Sequence, residues 1–554
     1  MSNSLMNTAM SGLSAAQYGL STVSNNISNY QVAGYNRQNA IFTQNGGTLS
    51  SAGFIWNGVT VTGINREYNS FITNQLRTAQ TQSSGLTTYY QQVSQIDNLL
   101  ANSSNNLSTT MQAFFSNLQN LVSNADDDAA RKTVLGKAEG LVNQFQNADQ
   151  YLRDMDTGVN QKITESVAKI NNYAEQIAGL NDQITRLRGS SGSEPNALLD
   201  QRDQLVTELN QIVGVTMSQQ DGDAYNVSFA NGLPLVQGAS SYKVEAIPSS
   251  SDATRLAVGY KYGSGTVLEV DESRLTTGSL GGTLKFRSEA LDNARNQLGQ
   301  LALVMADSFN TQHKAGFDAN GEDGTNFFNF ADPVVVKNTK NEGDAVLTVA
   351  YTNTSKVQAS DYSVEFDGTD WQVTRLSDKA KVSADVVKDT SGNVTGLNFD
   401  GVAVSINNGT TGAQIKDKFT VKTVSNVAAN LEVAISDSSK IAAAGKKDGG
   451  ESDNVNAQAL LDLQTKKLVG GKATFSGAYA GLVSTVGNQT STAKVNSTAK
   501  ASIVTQLTAE QQSVSGVNLD EEYGDLQRFQ QYYLANAQVI QTASTLFNAL
   551  LDLR

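Results

Sequence analysis

The 554-residue chain has no cysteine, one histidine, two tryptophans and four prolines. Without cysteine there is no disulfide, no thiolate nucleophile and no Cys-ligated metal. A single histidine, His313, excludes a multi-histidine metal site. No apolar run approaches the ~20 residues that cross a bilayer. The first residues also lack the basic stretch, apolar core and small-residue cleavage site of a signal peptide. A cysteine-free chain loses nothing in an oxidising compartment, so departure from the cytoplasm is compatible with the composition if the route accepts an uncleaved chain. A net charge of −13 disfavours nucleic acid and anionic membrane as partners. The scarcity of proline (Pro195, Pro234, Pro248, Pro333) leaves room for long helices.

Charge is also missing from the N-terminus: nothing is charged before Arg37, and nothing is acidic before Glu67. What is present there is a repeat. Met6, Leu13, Leu20 and Ile27 recur every seven residues, with Ala9, Ala16, Val23 and Tyr30 three positions later. The C-terminus repeats the pattern with Leu519, Leu526, Tyr533, Ile540 and Phe547, and with Phe529, Ala543 and Leu550 at the offset positions. Seven residues are nearly two helical turns, so each set predicts one apolar seam along a helix. Ser4 to Asn29 contains six Ser, four Asn, two Thr and two Gly. Relative to alanine these cost about 8 kcal/mol of helix propensity in sum, so this helix needs packing to exist. The expectation is that both termini are weakly ordered in a lone subunit and gain order from neighbouring copies.

Between the ends the texture alternates. Glu67–Arg188 reads as helical, with a seam of Ile163, Ile170, Ile177 and Ile184, flanked by Tyr173, Leu180 and Leu187, that should pair with Leu198–Val213. Residues 30–66 read as extended, the stretch Gly53–Gly63 being a hairpin or a single extended segment. Helix returns over Gly282–Lys314, with Leu284, Leu291, Leu298, Met305 and Phe309 on one face, and again from Asn454 onward with an interruption at Gly470–Gly477. The pattern predicts a mixed α+β multidomain chain. Its terminal coiled-coil-like helical domain (1–66 and 515–554) would join a long-helix body (67–213, 281–332 and 446–514). Two β-rich outer inserts (214–280 and 333–445) would interrupt that body.

Candidate chemistry is sparse. His313 ends a helix, where an imidazolium beside terminal carbonyls is a common structural use. Asp318–Gly324 departs from a calcium loop, since Asp323 stands where the turn glycine belongs and Asn329 where the bidentate Glu belongs; a tight turn fits better. Asp126–Asp128 and Asp520–Glu522 lie at helix starts, where carboxylates meet free amides. No aromatic sugar platform accompanies either cluster, and no phosphate-binding loop occurs, so neither an enzyme nor a cofactor is expected.

The segment Ser24–Gln38 (SNNISNYQVAGYNRQ) resembles the motif shared by rod, hook and hook-associated proteins of the bacterial flagellar axis, through Asn25, Asn26, Ile27, Asn29, Gly34, Tyr35 and Arg37. Val32-Ala33 stands where that motif commonly has Thr-Pro. Phe309–Gly321, Ser515–Glu522 and Phe529–Leu551 are similar to the hook-associated protein 1 family. That resemblance implies an extracellular structural adapter that assembles as a ring at the hook tip and joins hook to filament. The same resemblance implies contacts with hook protein and hook-associated protein 3, export of the unfolded chain by the flagellar type III apparatus, and an export chaperone on the C-terminal helix. Filament subunits and caps lack the combined Asn25–Arg37 and Phe309–Gly321 segments, and a rod-cap muramidase would need a carboxylate pair in a cleft.

Overall fold

The computed structural model describes residues 2–50, 53–101, 106–191, 194–220, 223–263 and 265–552. The helices are α1 (Ser2–Asn29), α2 (Ser70–Ala101), α3 (Leu107–Ser123), α4 (Asp128–Ser191), α5 (Asn196–Ile212), α6 (Gly278–Lys285), α7 (Asp292–His313), α8 (Val455–Asp462), α9 (Phe475–Ser515) and α10 (Leu519–Asp552). A π-helical turn, Phe286–Leu291, joins α6 to α7. The architecture is mixed α+β: α1 lies along α10, α2 lies along α9, and β-rich regions occupy the middle of the chain.

The isoleucine seam of α4 is fully buried at Ile163, Ile170, Ile177 and Ile184. Its upper part packs with α5 through Leu180, Ile184 and Leu199. Leu187, read as part of that seam, is instead exposed, one turn from the end of α4, where the buried cluster with α5 stops at Ile184. The face predicted for Gly282–Lys314 is also too narrow. Leu298, Leu301 to Ala306 and Phe309 are all buried, so the middle of α7, Leu301 to Ala306, is apolar and enclosed on every side.

All strand pairs among the described residues are antiparallel. The first β-rich region holds a four-stranded sheet spanning residues 215–241 and a three-stranded sheet centred on Leu256–Lys261. The second holds five- and four-stranded sheets, with Tyr362–Phe366 and Trp371–Arg375 paired across the Asp367-Gly368 turn.

A two-stranded arm is built from β1 (Gln38–Gln44), β2 (Gly47–Ser50), β3 (Gly53–Trp56) and β4 (Val59–Arg66), with β1 on β4 and β2 on β3. Gly53–Gly63 is therefore not itself a hairpin. The Asn45 amide donates to the Gly58 carbonyl at 3.0 Å, so the ladder continues past Asn57-Gly58 instead of reversing there.

Candidate assembly surface at the paired termini

The antiparallel contact between α1 and α10 is built on missing side chains. A Cβ placed on Gly12 would lie 2.4 Å from Asn536 Oδ1, and one on Gly19 would lie 2.7 Å from the Phe529 ring. Ala9, Ala16 and Val23 complete the buried row of α1, and Asn26 closes it near Glu522. Small residues let two backbones approach closely, so the glycines counted above as a propensity cost are the contact itself. On α10, Ala543 is buried and Leu519, Leu526, Phe529 and Ile540 are half-buried, while Tyr533 and Phe547 are exposed. The side chain of Leu550 lies outside the described residues.

Two flanks border this contact. Residues just before the α1 row (Thr8, Ala15, Thr22) turn one way, and residues just after it turn the other, by about 100° each. Ala15 and Thr22 are buried on the first flank, which carries the β arm. There the Val59 amide donates to Ser11 Oγ at 3.2 Å, and the Phe42 ring lies 5.8 Å from that of Phe529. The second flank holds the other half of the predicted seam. Met6 is exposed and Leu13, Leu20 and Ile27 are only half-buried, so this row runs beside the α10 contact and not within it; Tyr30 is exposed as well.

The Ser24–Gln38 motif forms a polar latch at the root of the pair. Asn26 uses its whole amide: Oδ1 accepts from Tyr35 Oη at 2.7 Å and from the Gln38 amide at 3.0 Å, while Nδ2 donates to the Gln38 carbonyl at 2.9 Å and to Glu522 Oε2 at 3.0 Å. Asn29 Nδ2 donates back to the Asn25 carbonyl and side chain, and Asn25 Nδ2 donates to Tyr35 Oη at 3.3 Å. Gly34 takes a φ of +81°, which places this turn against Gln204 of α5. Arg37 Nε donates to Glu522 Oε1 at 2.7 Å and its Nη1 to Glu521 Oε2 at 2.6 Å. The acidic start of α10 therefore serves chiefly as a counter-charge for Arg37 and not only as a helix cap. Burial alone would lower the Arg37 pKa, but Glu522 and Glu521 more than offset it, and the pKa rises. Burial, with the charges of Asp200 and Glu522, pushes Tyr35 up to about 12.

A second network fixes this module to the body. The Asn36 amide and side chain donate to Asp200, Arg66 Nη1 reaches Asp200 and Asp203, and Arg77 Nη2 reaches Asp203. Burial holds the Asp200 carboxyl above its ordinary range despite these donors.

The comparisons agree with the motif. The model for the flagella basal body rod protein family matches residues 6–36, that for the flagellar hook-associated protein FlgK helical domain residues 93–328, and that for the D2-like domain of flagellar hook-associated protein 1 residues 336–423. The flagellar hook-associated protein 1 of Escherichia coli (strain K12) is 56% identical over 554 residues, covering 100% of both chains. That of Salmonella typhimurium is 57% identical over 560 residues, again covering 100% of both. The chain belongs to the flagellar hook-associated protein 1 family. A solved structure of the flagellar hook junction protein FlgK from Burkholderia pseudomallei superposes with a TM-score of 0.74 at 28% identity, covering 80% of this chain and 100% of that one. As a member of this family the chain is a structural protein of the bacterial flagellum.

The remaining candidates have structural settings in this family member. The buried His313 is neutral, which corrects the imidazolium expected at a helix end. Its Nδ1 donates to the Thr325 carbonyl at 2.7 Å and its Nε2 accepts the Ala442 amide at 2.9 Å, and burial lowers its pKa. Asp318 Oδ1 accepts the amides of Asn320 and Glu322, a turn closed on its own backbone. Gly12, Gly19, Asn536, Asp200 and Asp203 were not signalled by the sequence: the first two look like helix breakers, and the others act through partners far away in the chain.

Proposed function

We propose that the chain is the adapter subunit of the hook–filament junction, self-assembling at the hook tip through its paired terminal helices. The observation that carries this reading is the pair itself. It keeps one apolar row buried between α1 and α10 and leaves a second row only partly covered in the single chain, with Met6 exposed and Leu13, Leu20 and Ile27 half-buried. A partly covered apolar row of this length along a helix marks a protein interface. Axial neighbours would be hook protein on one side and hook-associated protein 3 on the other. Export would proceed through the flagellar type III route with the chain unfolded, an export chaperone holding α10 beforehand. The absence of charge from residues 2–36 and 529–551 suits such passage, because few ion pairs need breaking. Supporting the extracellular axial location is the family; among the described residues no helix is long and apolar enough to cross a membrane.

The test is Leu526→Asp or Ile540→Asp, each placing a charge in the half-buried row at a cost of several kcal/mol. The expected result is a soluble chain with its body folded that fails to appear at hook tips by electron microscopy. Normal junctions and filaments from either variant would overturn the reading.

A further inference from the structure

An antiparallel helix pair has two grooves, and here they are treated differently. On the flank of Thr8, Ala15 and Thr22 the groove carries the chain's own β arm. On the opposite flank, Met6, Leu13, Leu20 and Ile27 of α1 face the same side as Tyr523, Ala537 and Leu551 of α10, because in an antiparallel pair the residues just after each contact row turn to one side. Met6, Tyr523 and Leu551 are exposed, and Leu13, Leu20, Ile27 and Ala537 are half-buried; the exposed Gln530 and Ser544 complete the α10 row, so this groove is apolar on its α1 side, mixed on its α10 side, and only partly covered.

The arm in turn has more apolar surface than its own groove uses. β4 runs antiparallel to α1, from Arg66 near the latch to Val59 beside Ser11, and Gly58 still lies against Thr8. Beyond that point β2 and β3 continue, carrying Leu49, Phe54 and Trp56; all three are exposed, Leu49 at 84%, and the Phe54 and Trp56 rings lie edge to face 5.1 Å apart. Residues 38–65, 2–36 and 529–551 contain no charged side chain, whereas the whole chain carries −13. The arm and the groove beyond Arg528 are thus both uncharged.

We propose that the partly covered groove of each subunit receives the β-arm end of a second copy of this chain, Leu49, Phe54 and Trp56 seating against the Met6–Ile27 row. Such a contact is heterologous: arm and groove are different surfaces, so it adds subunits in one rotational sense and closes a ring when the rotation permits. It rests on the self-assembly part of the function proposed above and assigns the two faces that meet.

The absence of cysteine makes a clean test possible. Differently tagged full-length chains carrying Leu13→Cys or Phe54→Cys are co-expressed, and hook-tip particles are isolated and mildly oxidised. The expected product is a disulfide between the two different tags. Only like-with-like adducts, or none, in particles that contain the chain at their tips would overturn the arm-in-groove contact while leaving the junction role standing. Absence of the wild-type chain from hook tips would instead sink the junction role and this inference with it. A second readout avoids cysteine: with Trp371→Phe, Trp56 is the sole tryptophan, and its emission should shift to the blue on assembly. An unshifted spectrum in assembled particles would contradict the proposal.

Discussion

Replacing Arg37 with alanine isolates the latch. The Glu522 side chain is only 1% exposed, and its partners are Arg37 Nε at 2.7 Å and Asn26 Nδ2 at 3.0 Å. Removing the guanidinium leaves a buried carboxylate held by one neutral amide. Breaking a buried pair from one side costs about 3–5 kcal/mol. Arg37 itself is 19% exposed, so the lower end of that range applies. At about 3 kcal/mol, the population with the latch open rises roughly a hundredfold. Amide exchange over residues 22–38 and 519–530 reads this directly, with the interior of α4 as an internal standard that should not change. Adding Glu522→Gln to Arg37→Ala removes the orphaned charge and should recover most of the protection. Unchanged exchange at the latch in Arg37→Ala, or a double variant as open as the single one, would refute the reasoning.

Gly19→Val puts branched carbon where a Cβ already meets the Phe529 ring at 2.7 Å; overpacking of about 1–3 kcal/mol should exceed the helix propensity gained, and incorporation at hook tips should fall. Asp361 lines a polar cleft between the two β-rich regions, with one buried oxygen that has no hydrogen-bond partner; burial and the nearby Asp292 push it up to about 6. A raised carboxylate stabilises the fold below about pH 4 and loses that contribution as pH climbs through 6. Asp361→Asn should therefore raise the denaturation midpoint at pH 7 and match wild type near pH 4, and a difference independent of pH would contradict the assignment. For His313 the sign is opposite: its lowered pKa gives stability above about pH 6.5 that is lost on acidification. As the sole histidine, its NMR ring signal should hold the neutral position well below pH 6.5, and an ordinary titration would refute the buried, doubly bonded imidazole.

Periodicity made the paired ends legible, because a seven-residue repeat needs only local spacing to be seen. It did not reveal which of the two rows faces α10. Ala9, Ala16 and Val23 read as one seam with Met6, Leu13, Leu20 and Ile27, yet only the first three are buried. Side-chain size misleads where backbones touch, since the residues in closest contact are Gly12 and Gly19. The Asn25–Arg37 motif was visible as a motif, but its electrostatic partner Glu522 lies 485 residues beyond Arg37, and Asp200 lies 164 beyond Asn36. Such pairings follow from the fold and leave no mark on neighbouring sequence. The same holds for His313, whose second partner, the Ala442 amide, is 129 residues away.

A density map of the hook tip resolving side chains bears most directly on the claim that one row of α1 serves the subunit and the other serves its neighbours. The expected map has Gly12 against Asn536 of the same chain and the Met6–Ile27 row covered by protein from an adjacent copy. A map with α1 and α10 of one chain apart, or with that row facing open solvent, would contradict it.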